Sequence, residues 1–213
     1  LRVRGEPRAA LSLLGVVDPA GLAQSRAGPA FAREMLRSMN AADERHAALD
    51  ATIERGLALE GRSAAWIAVD GYRAELAGDT PRALDRYAAA LADDPSLAWV
   101  TAGRARLQAP DSPDDASTVA STLIETAKSD RELDEAATII RALKRAGHVA
   151  QSRQVWASLL DRRPYDVEAA LALCTLAPEQ DIEALPSKRL RALSRRMRRL
   201  DRSCPAAARQ LED

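Results

Sequence analysis

Aromatic side chains are scarce. The 213 residues include one Phe, three Trp and three Tyr, so any core must be built mostly from Ala and Leu. Lysine is nearly absent too: only Lys128, Lys144 and Lys188 stand among many arginines. That bias reads as the codon usage of a GC-rich bacterial genome rather than as chemistry. Cysteine and histidine occur twice each. His46 and His148 have no Cys or His three or four residues away, so a zinc site has no ligand set. Cys174 and Cys204 either pair across a helical hairpin in an oxidising compartment or remain free thiols, one buried and one exposed; the free-thiol reading is favoured. No apolar run approaches the roughly 18 residues of a membrane span. No leader is visible, and the opening at Leu1 without Met points to a processed or excised piece.

Neither charge sign is in excess. There are 31 basic and 31 acidic residues, so no net field pulls the chain toward nucleic acid or membrane. Catalytic signatures are missing as well. Neither the phosphate-cradling pattern G-x-x-x-x-G-K-[ST] nor G-x-S-x-G occurs. Asp43-Glu44, Asp93-Asp94 and Asp114-Asp115 are neighbours in sequence, and adjacent residues on a helix do not face each other. Cys204 has no base that the sequence identifies. The expectation is a non-enzymatic protein with no cofactor and no metal.

What is present is helical periodicity. Apolar residues recur at three- and four-residue spacing in 64–77 (Trp66, Ile67, Val69, Ala74, Leu76) and again in 81–92 (Ala83, Leu84, Tyr87, Ala90, Leu91). Between these runs, Gly78 suits the left-handed residue that closes a helix, and Pro81 suits the first turn of the next. Asp94-Pro95 stops the second run. Gly71, Ala83 and Ala90 are small where two antiparallel helices would press together, and Tyr87 is large enough to fill a gap to a neighbouring pair. The pattern returns in 133–164. Gly147, Trp156 and Pro164 follow Gly78, Tyr87 and Pro95 at one and the same offset.

These landmarks resemble the tetratricopeptide repeat, a helix-turn-helix unit of about 34 residues, and the shared offset is close to two such units. The family's small first-helix residue falls on Gly71, its turn on Gly78-Asp79, its second-helix alanines on Ala83 and Ala90, its aromatic on Tyr87 and its proline on Pro95. Trp66 is shifted by one from the early aromatic position, and Tyr72 is out of register. The resemblance covers 64–164 and implies an all-α, right-handed superhelical solenoid of helix-turn-helix repeats, some degenerate.

The remaining chain is read as one solenoid with it. Residues 1–62 are divergent N-terminal repeats, 63–178 the repeats proper, and 179–213 a basic C-terminal capping region. Arg4–Leu14 looks like a second-helix half, so the natural protein is expected to extend further. Residues 17–28 read as a break rich in turn signals. Helices are expected over 29–39, 41–60, 97–107, 116–128 (capped by Asp115 or Ser117), 132–146, 149–162 and 165–176. The pair formed by 97–107 and 116–128 is a degraded repeat. In 186–211, a crowd of basic residues shares a helix with Leu190, Leu193, Met197 and Leu200. Two readings stand there: a polar terminal cap, or a basic patch for an acidic partner or anionic polymer. The stretch carries no stacking aromatics, which counts against single-stranded nucleic acid.

In the family, the first helices line a concave groove that docks partner segments. Carried over, the solvent-facing stripe falls on Ala65, Ala68, Tyr72 and Glu75, then on Asp134, Ala137, Arg141, Lys144 and Arg145, with Arg104 between. The resemblance thus implies a protein-binding scaffold whose groove residues include Tyr72, Glu75, Arg104, Arg141, Lys144 and Arg145. Its basic later half would suit an acidic segment. Two alternatives are a periplasmic scaffold of exopolysaccharide or envelope export that contacts an anionic polysaccharide or its modifying enzyme, and an accessory domain fused to an enzyme. The compartment is expected to be periplasmic or cytoplasmic, with a lean to the former.

Overall fold

The computed structural model describes residues 19–39, 46–59, 63–164 and 166–176. The Arg4–Leu14 half-repeat, Cys204 and the basic 179–213 region lie outside the described residues. Among the described residues all secondary structure is helical, in ten helices: α1 (Pro19–Gln24), α2 (Gly28–Ser38), α3 (His46–Ala58), α4 (Ala64–Leu76), α5 (Thr80–Asp93), α6 (Ala98–Gln108), α7 (Pro113–Thr126), α8 (Asp130–Arg145), α9 (Val149–Arg162) and α10 (Val167–Leu176). The all-α expectation holds. The chain divides into two compact units, Leu1–Val100 and Thr101–Asp213. Within each unit, helices pack against helices one or two places away along the chain.

Two expectations are corrected. The stretch 17–28 is not simply a break, because α1 forms inside it and packs in its unit with α3. Its buried residues Leu22 and Ala23 are too few to leave a readable period. The helix expected at Ala116 begins earlier, at Pro113. Ser112 holds its N-cap position without a side-chain hydrogen bond, and Asp114 and Asp115 lie in the first turn, where carboxylates favour the helix dipole.

The turns at Gly78 and Gly147 share one geometry. Both glycines have positive φ, +79° and +86°. At the first, the amides of Ala77, Gly78 and Asp79 donate to the carbonyls of Arg73, Glu75 and Ala74. At the second, the amides of Ala146, Gly147 and His148 donate to Ala142, Lys144 and Leu143. Every participant of the second turn keeps the same offset from its counterpart in the first. The crossed bonds satisfy the carbonyls that a helix end leaves open, and only Gly takes the required φ without steric cost. The next helix then starts alike, with Asp79 at φ −83°, ψ 74° and His148 at φ −81°, ψ 68°. Asp79 also caps α5 by accepting from the Arg82 amide at 3.2 Å. Ser129 caps α8 through the Glu132 amide at 3.4 Å, while the Glu132 carboxylate takes the Lys128 amide.

The correspondence extends to the preceding helices. Buried Ala32 and Met35 of α2 match buried Ala102 and Ala105 of α6, with the spacing within each pair preserved. Buried Leu49 and Ile53 of α3 match buried Ala116 and Ala120 of α7 in the same way. The α2–α3 and α6–α7 pairs thus bury similarly spaced residues, while one common offset holds for the α4–α5 and α8–α9 turns.

The cores differ in size of side chain. In the first unit Met35, Leu49, Ile53, Trp66 and Val69 cluster. Trp66 lies so close over α2 and α3 that a Cβ on Gly28 would come within 2.8 Å of its ring, and one on Gly56 closer still. In the second unit the alanines of α6–α8 pack with Ile124, Leu133, Ile139, Ile140, Leu143, Val155, Trp156, Leu159 and Leu160.

Candidate functional site

The six residues singled out from the sequence divide between the two units. In the first, Tyr72 is half-buried on α4. Its ring meets Trp99 edge-on, with centroids 6.4 Å apart at 84°. Trp99 also meets Tyr87 edge-on at 6.3 Å. The buried Arg33 guanidinium lies 4.2 Å over the Trp99 ring and 5.9 Å over Tyr72, where cation–π attraction offsets part of its desolvation. Glu75 is also half-buried and accepts a 2.7 Å hydrogen bond from the Tyr87 hydroxyl. Tyr72 and Glu75 are thus tied to neighbouring side chains of the first unit.

Sequence reasoning missed a charged cluster beside them. Asp70 is wholly buried, yet it is paired with three arginines. Arg73 Nη2 lies at 2.5 Å, Arg86 Nε at 2.8 Å and Arg82 Nη2 at 3.1 Å. Arg73 further bonds Asp50 at 3.3 Å and Glu54 at 2.7 Å on α3. Burial by itself would lower the Arg73 pKa, but its hydrogen bonds to these carboxylates outweigh that and raise it. Three carboxylates face three guanidiniums, so the cluster is neutral. The one available signal was an Asp set among the apolar residues Trp66, Ile67, Val69 and Ala74 of α4.

In the second unit, Arg141 is bound to Glu168 of α10 through two parallel bonds, Nε to Oε1 at 2.7 Å and Nη2 to Oε2 at 2.5 Å. Both side chains are about half exposed. The hydrogen bonds from Arg141 hold Glu168 below the usual carboxylate value; the pair likewise raises Arg141. Lys144 also favours the ionised form of Glu168. Lys144 and Arg145 are exposed in the last turn of α8, where cations complement the helix dipole. Arg145 Nε donates to the Arg141 carbonyl at 3.4 Å. Arg104 is exposed on α6.

A second arginine knits the same face. Arg163, just after α9, bonds Asp134 at 2.7 Å and Asp130 at 3.1 Å, and lies 3.8 Å from Asp166. The later stretch is therefore a mixed-charge surface, with carboxylates of α8 and α10 set among its cations. The expected solvent-facing stripe is corrected at two residues. Ala68 and Ala137 are 0% and 4% exposed, because at these positions α4 and α8 face the core.

His148 is not in a ligand set. Its Nε2 lies 3.1 Å from the Pro110 carbonyl and ties the α8–α9 turn to the α6–α7 loop. Cys174, half-buried, is disulfide-bonded rather than the free thiol favoured from sequence. No group of three His, Cys, Asp or Glu among the described residues is arranged to hold a metal. No described helix is long and apolar enough to cross a membrane. Comparison of this chain with protein-family models, with curated proteins and with solved structures returns no match in any of the three.

Proposed function

We propose that this chain is a tetratricopeptide-like scaffold, a right-handed superhelical solenoid that docks a partner protein segment and carries out no chemistry of its own. The observation that carries this reading is the repeated closure at Gly78 and Gly147, where two distant helix ends make the same set of hydrogen bonds. A chain of helix pairs that each bury one side against sequence neighbours leaves its other side as binding surface. In the second unit that surface offers Arg104, Lys144 and Arg145 as exposed cations, so the partner segment is acidic. Single exposed charges contribute roughly 0–1 kcal/mol each, and only the group of them gives useful affinity.

The test is fluorescence polarisation with acidic, neutral and basic peptides of equal length, at low and high salt. Arg104→Glu/Lys144→Glu/Arg145→Glu should abolish binding of the acidic peptide and leave the helical content intact. Undiminished binding by that variant would sink the proposal. Small-angle scattering tests the solenoid separately, since a globular profile would contradict it.

A second reading is a periplasmic scaffold of envelope or exopolysaccharide export. The disulfide at Cys174 favours it, because such bonds persist in oxidising compartments. Thiol titration of natively purified, denatured protein decides this: no titratable thiol supports it, and two free thiols speak against it.

A further inference from the structure

We infer that Glu168 occupies the place of a partner's carboxylate at Arg141 and Lys144, and so acts as an internal competitor for an acidic segment. This rests on the acidic-partner reading above. Among the cations selected from the sequence, Arg141 is the one that a carboxylate binds through both of its oxygens. Such two-point pairing is the geometry in which a guanidinium recognises an external carboxylate. The same carboxylate also feels Lys144, so a single group of the chain answers two cations of the proposed site.

The pair is open to exchange. Arg141 and Glu168 are 45% and 48% exposed, so an incoming carboxylate reaches Arg141 without unfolding either helix. The repeat supplies a comparison. Tyr72 and Trp99, the counterparts of Arg141 and Glu168 in the first unit, meet by ring packing beneath the Arg33 guanidinium. Linkage at this position therefore takes different chemical forms in the two units, and the carboxylate of the second unit is the one that lies directly on a cation of the proposed site. An exposed pair is weak, so the competition it exerts is a matter of a few-fold in affinity and diminishes with salt.

The experiment uses the full chain and a labelled hexaglutamate peptide at low salt. Glu168→Gln keeps the side-chain shape and should tighten peptide binding about two- to fivefold. Arg141→Ala/Lys144→Ala should reduce binding to background, with or without Glu168→Gln. Glu125→Gln on α7 makes the same change in net charge at a carboxylate that does not act on Arg141, and should leave affinity unchanged. Helical content and melting temperature of each variant report on folding.

Wild type and Glu168→Gln binding alike, with both lost on removing the two cations, would overturn the competition and leave the acidic site standing. Equal tightening by Glu168→Gln and Glu125→Gln would also overturn it, as a general field effect. Binding by neither wild type nor Glu168→Gln would overturn the acidic-partner reading together with the inference.

Discussion

The α4–α5 and α8–α9 hairpins have the same backbone and opposite interiors. Both close on a positive-φ glycine through the same crossed hydrogen bonds. Both bury an aromatic ring at the corresponding place, Tyr87 and Trp156. At Asp70, however, the first hairpin buries a carboxylate among Arg73, Arg82 and Arg86. The corresponding residues of the second are Ile139, Ala142, Gln151 and Val155, and Ile139 and Val155 are fully buried. One fold position thus accepts either a satisfied charge cluster or plain apolar packing. Apolar replacement of a buried ion pair is often neutral or stabilising, whereas removal of one partner is costly. The backbone turn is the shared requirement; the interior is negotiable as long as it is complete.

Breaking the cluster in half should have the largest effect. Asp70→Ala leaves three guanidiniums without their central partner and should cost about 3 kcal/mol. That is near the lower end for a broken buried pair, because Arg82 and Arg86 are partly exposed and can turn toward water. Replacing Asp70 together with its two nearest arginines by the residues of the other hairpin, Asp70→Ile/Arg73→Ala/Arg86→Val, should return stability to within about 1 kcal/mol of wild type, since Arg82 can turn to water. Chemical denaturation followed by circular dichroism and tryptophan fluorescence checks both. A triple variant as unstable as Asp70→Ala would show the interiors are not interchangeable.

Gly71 sharpens the comparison at the aromatic. A Cβ there would meet Tyr87 Cδ1 at 2.8 Å, and the ring is fully buried. Gly71→Ala should therefore cost about 1–3 kcal/mol through overpacking. The corresponding residue of the second hairpin is Ile140, also fully buried, so the glycine's close approach belongs to the first hairpin alone. A neutral Gly71→Ala would contradict the packing described.

The turns should respond alike. Nothing stands within 4 Å of a Cβ at Gly78 or Gly147, so alanine there suffers only from the backbone. Each substitution should cost about 1–2 kcal/mol. Clearly unequal losses by the same denaturation assay would break the equivalence of the two closures.

The smallest effect concerns pH. Glu168 is held below its ordinary value of 4.5, chiefly by hydrogen bonds from Arg141. A carboxylate lowered on folding contributes its stability in full above the ordinary value and loses it as pH falls through the folded value. The pair is half exposed, so the loss below about pH 4.5 should be under about 1 kcal/mol. It should vanish in Glu168→Gln, as measured by thermal melts across the acidic range.

Much of this was legible in the residues. Gly78, Pro81, Asp94-Pro95, Gly147 and Pro164 act through local backbone geometry, so helix ends and the long internal period could be read directly. The helix α1 could not, because two buried residues make no period. The candidate site was less legible. The sequence marks Tyr72, Arg141 and Lys144 as one face of their helices, but it does not say what lies across from that face. Trp99 stands opposite Tyr72, and Glu168 stands opposite Arg141.

By itself, then, the sequence determined an all-helical chain, its principal turns and its internal repeat, since periodicity, glycine φ and proline sterics act within a few residues. The tertiary structure alone decided which charges are satisfied. Asp70 gathers arginines from α4 and α5, Arg163 gathers carboxylates from α8 and from the residue just before α10, and Arg141 takes Glu168 from α10, two helices further along the chain. Such pairings depend on which helix faces which, and that is settled by packing.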